Sequence, residues 1–156
     1  MRKINPAYAP ILMEKVSNSP FPKHISMRLT GIAVDSAQVE LSLDEPHRQL
    51  YGIVHGGVLA TLIDTAIFWA VFMRLPESHG LVNVDLKLNY LKPAVHGLLT
   101  AEGRCISAGR SISYAEAWVK DSGDNLLAHG TSTLKALPNK GVDIGVPKFI
   151  EGIEMA

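Results

Sequence analysis

Cysteine occurs once in the 156 residues, at Cys105, so no intrachain disulfide can form and nothing points to an oxidising compartment. Neither sign of charge is in excess. Lys plus Arg and Asp plus Glu number 15 each, which excludes the basic footprint of a general nucleic-acid binder, although a local patch could still hold a phosphorylated ligand. Long apolar runs are also missing. The longest, Ala66 to Met73, falls far short of a membrane span. Behind the basic start Met1-Arg2-Lys3, Asn5, Pro6 and Pro10 interrupt any signal-peptide core. The expectation is a soluble, cytoplasmic protein with no membrane span and no nucleic-acid partner. No repeat or low-complexity tract divides the chain. The nucleophile elbow G-x-S-x-G, the phosphate loop G-x-x-x-x-G-K and the dinucleotide fingerprint are all absent. The six histidines (24, 47, 55, 79, 96 and 129) have neither helical metal-ligand spacing nor cysteine pairs beside them, so neither a metal nor a bound cofactor is expected.

What is present is apolar: 47% of residues are hydrophobic and 19% charged. That is the composition of one globular domain long enough to bury a core without disulfide or metal. Asn5-Pro6 suits an N-cap and first helical position, with Tyr8, Ile11, Leu12, Lys15 and Val16 forming a short amphipathic helix that Ser17 to Pro22 ends. Two strands follow, Ile25 to Val34 and Gln38 to Leu43, with a turn at Asp35-Ser36. Val54 to Leu75 is apolar on nearly every side of a helical wheel, the pattern of a buried helix, and Leu75-Pro76 ends it. Val82 to Tyr90 alternates strictly with Asn83, Asp85, Lys87 and Asn89 and reads as one half-buried strand, its charges solvated or facing a subunit. Three more strands follow: Leu98 to Ile106, Ser113 to Lys120 and Leu126 to Leu137. Short connections favour antiparallel pairing, so the reading is α+β, one curved antiparallel sheet wrapped around one buried helix. Residues 1–24 form an N-terminal helix and linker, 25–137 the domain, and 138–156 an irregular tail.

Chemistry concentrates between Gln49 and Asp64. Gly56 and Gly57 at a helix start leave backbone N–H groups unshielded, unpaired within the helix and at its positive end, where they can polarise a carbonyl. The same doublet also serves a tight entry turn. Asp64 interrupts an otherwise apolar helix, and an unpaired carboxylate there is costly. It is either functional, or paired with a strand cation, or exposed at a subunit edge.

His55-Gly56-Gly57, followed by Asp64 nine residues after the histidine on an apolar helix, resembles the hotdog-fold acyl-CoA thioesterases of the phenylacetyl-CoA thioesterase-like group. The similarity runs from about Met27 to Leu137 and includes Tyr90-Leu91-Lys92-Pro93-Ala94 and Gly109-Arg110. It implies a hotdog fold, a dimer or dimer of dimers, and hydrolysis of an acyl-CoA. By position, Gly56 would polarise the thioester carbonyl and Asp64 would be nucleophile or general base. Asn83 would help hold the water or the carboxylate. Gln49 stands where many relatives have Asn, a departure that keeps an amide donor on a longer arm. His55 would orient the loop rather than act as base. Gly57, Lys92 and Arg110 would contact substrate, the two cations at the coenzyme A phosphates. Two other classes stay open: an acyl-thioester hydratase or dehydratase recruiting His55 with Asp64, and a non-catalytic acyl-CoA binding module. Trp69 and Phe72 read as core or acyl-pocket wall.

Geometry argues for a dimer without the family. Gly56 and Asp64 lie eight residues apart, about 12 Å along one helix, yet an oxyanion donor and an attacking group must both come within about 3 Å of one reacting centre. Two antiparallel helices across a two-fold axis can place Gly56 of one chain opposite Asp64 of the other.

Overall fold

The computed structural model describes residues 2–151. In chain order the elements are β1 (Arg2–Ile4), α1 (Tyr8–Ser17), α2 (Pro20–His24), β2 (Met27–Ala33), β3 (Ser36–Ser42), a single 3-10 turn (Glu45–His47), α3 (Gly56–Phe72), β4 (Gly80–Asn83), β5 (Lys87–Tyr90), β6 (Leu98–Ala108), β7 (Ile112–Asp121), β8 (Leu126–Leu137) and β9 (Phe149–Glu151). An antiparallel sheet in the order β2-β3-β6-β7-β8-β4, with β5 also on β8, wraps around α3, which is the hotdog arrangement. The core lies between them. Leu62, Ile63, Ala66, Ile67 and Ala70 of α3 meet Val39, Leu99, Ala101, Ala115, Ala117 and Val119 of the sheet, all essentially without exposure. Gly103 of β6 permits the close approach, because a Cβ there would overlap the Ala66 carbonyl. Among the described residues no helix is long and apolar enough to cross a membrane.

Local chemistry accounts for most boundaries. Asp35 takes the left-handed conformation at the β2–β3 turn (φ +68°) and pairs with Arg74 just beyond α3, pinning that end of the helix to the sheet. At the β7–β8 turn the Asp121 carboxylate accepts from the N–H groups of Gly123 (2.9 Å) and Asn125 (3.0 Å).

Four expectations need correction. The α-helix begins at Tyr8 with Ala7 in the flanking position, because a tighter turn precedes it: the Asn5 carbonyl accepts from the Tyr8 N–H and its side chain from the Ala7 N–H, so Asn5 caps that turn, and its amide donates to Pro147 O. The prolines after Ser17 also start a second short helix, Pro20 occupying the first turn where a missing N–H costs nothing. The tail is not wholly irregular, since β9 pairs with β1 in a separate two-stranded sheet; residues 152–156 lie outside the described residues.

The fourth concerns the alternating stretch after α3, which is two strands and not one. Asn83 pairs with Leu134 and Lys87 with Thr131, so four steps along this strand match three along β8. One extra residue makes a β-bulge. Asp85 holds it: its carboxylate accepts from the Thr133 N–H (2.9 Å) and its carbonyl from the Ser132 hydroxyl (2.6 Å), so this residue, although exposed, is bonded within the sheet. The bulge reverses the facing of the strand. Before it, Leu81 and Asn83 turn toward α3 while Val82 and Val84 face outward, Val84 being 61% exposed. After it, Leu88 packs against the core, and the Tyr90 ring, although mostly exposed, reaches the start of α3 at Gly56.

Candidate active site

The loop from Asp44 to His55 delivers the start of α3. His47 is buried and braces it, accepting at Nδ1 from the Asp44 N–H (2.9 Å) and bonding through Nε2 to Ile25 O (2.8 Å), while its carbonyl accepts the His55 N–H. His55 is the N-cap of α3: its Nδ1 accepts from the Gly57 N–H (2.8 Å), and its carbonyl accepts from the Val58 N–H. That bond uses the lone pair on Nδ1 and leaves Nε2 as the ring's donor. Of the amides opening the helix, Gly57 and Val58 are thereby satisfied. The Gly56 N–H has no acceptor among the described residues and stands at the positive end of a seventeen-residue helix.

Gly56 lines a cleft of about 410 Å³ with Gln49, Leu59, Tyr90 and Lys92. The Tyr90 ring lies over it, and a Cβ on Gly56 would come within 3.1–3.2 Å of the ring. Gln49 Oε1 accepts from the Tyr51 N–H (2.7 Å), which fixes the acceptor end of the amide and leaves Nε2 as a donor. The cleft thus gathers one bare backbone donor, one amide donor and one ammonium, a setting for a carbonyl oxygen that gains negative charge.

Asp64 lies two turns further along α3, outside that cleft. It is half-buried, and no cation comes within salt-bridge distance of it among the described residues. Asn83 reaches it from β4: Nδ2 donates to Asp64 Oδ1 at 2.6 Å and more weakly to its carbonyl at 3.3 Å. Burial pushes the Asp64 carboxyl above its ordinary value, and the Asn83 donor pulls part of that shift back. The donor end of Asn83 serves the carboxylate at the expense of its own oxygen, which is buried without a partner. Such a carboxylate can attack a carbonyl or take a proton from water once ionised.

The structure therefore brings the sequence-derived residues into two groups, Gln49, Gly56 and Lys92 in the cleft and Asp64 with Asn83 on the helix flank. It does not join them within one chain. Gly57 offers no free N–H, its donor being engaged by His55, so its expected substrate contact through the amide is not available. His55 orients the loop and is not paired with Asp64, nine residues on. Arg110 is exposed in the β6–β7 turn, at the far end of β6 from the Lys92 loop, about 33 Å of strand away. Tyr90 and His47 belong to the architecture of the cleft, and neither stood out as functional. For Tyr90 the available signal was an aromatic at a strand end directly before Leu91-Lys92-Pro93.

The sequence profile of the thioesterase superfamily matches residues 51–128. A candidate esterase of Halobacterium salinarum is 33% identical over 69% of this chain and 78% of its own length. One of Haemophilus influenzae is 26% identical over 81% of this chain and 91% of its own. A crystallised thioesterase of Haemophilus influenzae shares the fold, with a TM-score of 0.77 at 23% identity over 83% of this chain and 90% of that one.

Proposed function

The chain belongs to the thioesterase superfamily and is by that membership a hydrolase; we propose that it cleaves an acyl-CoA thioester to the free acid and coenzyme A at sites shared between two copies. The observation that carries this reading is the half-buried Asp64 carboxylate, held by Asn83 and without an ion pair among the described residues, on the helix whose first N–H has no acceptor among them.

In this reading the Gly56 N–H and the Gln49 amide bind the thioester oxygen. Asp64 of the second copy approaches the carbonyl carbon, either attacking it directly or taking a proton from the water that attacks. The C–S bond breaks, the thiolate leaves and is protonated, and water supplies the remaining oxygen and proton of the acid. Lys92, on the wall of the cleft, meets a coenzyme A phosphate, and Arg110 of the second copy can meet another. Two features support a second copy. The flank of α3 carrying Thr61, Asp64, Thr65 and Phe68 is incompletely covered although the helix is apolar all round. The β4–β5 strand is hydrogen-bonded on one side only, by β8, and ends the sheet with an open edge.

Thiol release from a panel of acyl-CoA thioesters, followed with a thiol reagent, tests the reaction. Wild type should release coenzyme A, and Asp64→Asn should lose about 10³-fold or more in kcat. Retention of full activity by Asp64→Asn would overturn the assignment.

A further inference from the structure

On the other side of the same uncovered flank lies a second cavity, of about 370 Å³. It opens between α1, α2, the Val142–Ile144 segment and α3, which contributes Thr65 and Trp69. These two positions lie about 100° and 140° around the helix from Asp64, and Thr65 is its immediate neighbour in sequence. The floor is core: Leu12, Met27 and Ile144 are at most 5% exposed. The rim leaves apolar surface uncovered, with Phe21 56% and Val142 45% exposed. Trp69 walls the cavity and is held by edge-on contacts with Phe68 (4.9 Å between ring centres) and Phe72 (5.0 Å), a rigid aromatic surface rather than a collapsible one. Among the described residues that line it, Lys15 and Asp143 are the charged ones, and both are exposed. Its volume is that of a small-ligand pocket, about 300–1,000 Å³, and its lining gives a polar ligand almost nothing to bond.

We propose that this cavity receives the acyl chain of the thioester, selecting apolar acyl groups larger than acetyl. The inference rests on the hydrolytic reading above, because only a substrate whose carbonyl sits at Asp64 would send its chain past Thr65. Four of the five segments that build the cavity, α1, α2, the start of β2 and residues 142–144, lie outside the stretch matched by the superfamily profile. Chain selection would therefore be a property of this protein's flanking segments, while the reaction belongs to the central part.

The test is the ratio of kcat/KM for octanoyl-CoA over acetyl-CoA. Wild type should prefer octanoyl-CoA. Val16→Phe, which fills the cavity from α1, should lower the ratio at least tenfold, and Trp69→Ala, which enlarges it, should move the optimum to a longer chain such as dodecanoyl-CoA. Octanoate should inhibit wild type competitively while acetate does not. A wild-type preference for acetyl-CoA, or a ratio unchanged in the folded variants, overturns the cavity assignment with hydrolysis intact. Failure of wild type to release thiol from any thioester overturns the hydrolytic reading itself.

Discussion

A carboxylate on an apolar helix loses hydration that a single amide does not restore, and the upward shift of Asp64 records that imbalance. The group binds its proton more tightly in the fold than in the unfolded chain. Its contribution to stability is thus fully present below the ordinary aspartate range and is lost as pH rises through the raised value. Asp64→Asn removes this dependence and still offers Asn83 an oxygen to bond. Thermal melts across a pH series should show the variant matching wild type in acid and exceeding it by a few degrees at neutral pH, despite its loss of activity. Asn83→Ala removes the one group lowering the carboxyl. The acid limb of its kcat/KM profile should move to higher pH than the wild-type limb, with a fall of about 10- to 100-fold at the plateau for the lost charged hydrogen bond. A limb that stays in place would show that Asp64 is not the titrating group. Asp64 was legible in the sequence because an acid inside an unbroken apolar helix stands out. Its contact with Asn83 was expected from the family resemblance alone, because strict alternation from Val82 to Tyr90 suggested that the valines, and not Asn83, face the core. The bulge that reverses this depends on Asp85 meeting the Thr133 N–H, 48 residues away in sequence, and no local pattern encodes such a meeting.

The two ends of α3 are finished differently, by the adjacent His55 at the start and by the distant Lys148 at the other end, and each finish has a measurable consequence. At the N-terminus, Gly56→Pro deletes one N–H at the helical position where proline is best tolerated, and His55 already has the extended conformation that proline requires of its predecessor (φ −66°, ψ 134°). Gly56→Ala keeps the N–H and adds only the Cβ that meets Tyr90. If the bare amide polarises the thioester, Gly56→Pro loses about 10²- to 10³-fold in kcat, and Gly56→Ala loses far less. Equal losses would assign the effect to crowding at Tyr90. At the C-terminus, Lys148 is buried and donates to the carbonyls of Phe72 (2.6 Å) and Leu75 (2.9 Å), closing the helix end from the segment that leads into β9. Burial lowers its ammonium to about 8, against the attraction of Glu77. The fold therefore binds fewer protons than the unfolded chain between about 8 and 10.5, and the lysine adds stability as pH climbs through that window. Lys148→Met should lower Tm, and by more at pH 10 than at pH 7. The helix itself was legible from its all-round apolar character and its glycine start. Lys148 was not, since a lone lysine among Pro, Gly and Val reads as solvated tail.

Across the whole molecule the polar groups proposed for thioester cleavage lie apart. The donors sit in the Gln49–Gly56–Lys92 cleft and the carboxylate on the flank of α3, with two turns of helix between them. The sheet and helix order was readable from periodicity and short turns, whereas this division was foreseen only from the rise of a helix per residue. A two-fold pairing of antiparallel α3 helices would reunite the groups twice per dimer, and the sheet edge left open among the described residues, beside the incompletely covered flank, suits that pairing. The direct measurement is complementation between two inactive subunits, Gly56→Pro and Asp64→Asn, co-expressed with different tags and purified as mixed dimers. Each mixed dimer holds one site with both groups intact, so the shared-site account predicts about half the wild-type turnover per dimer from two nearly inactive parents. Mixed dimers that form stably yet release no more thiol than either parent would contradict it.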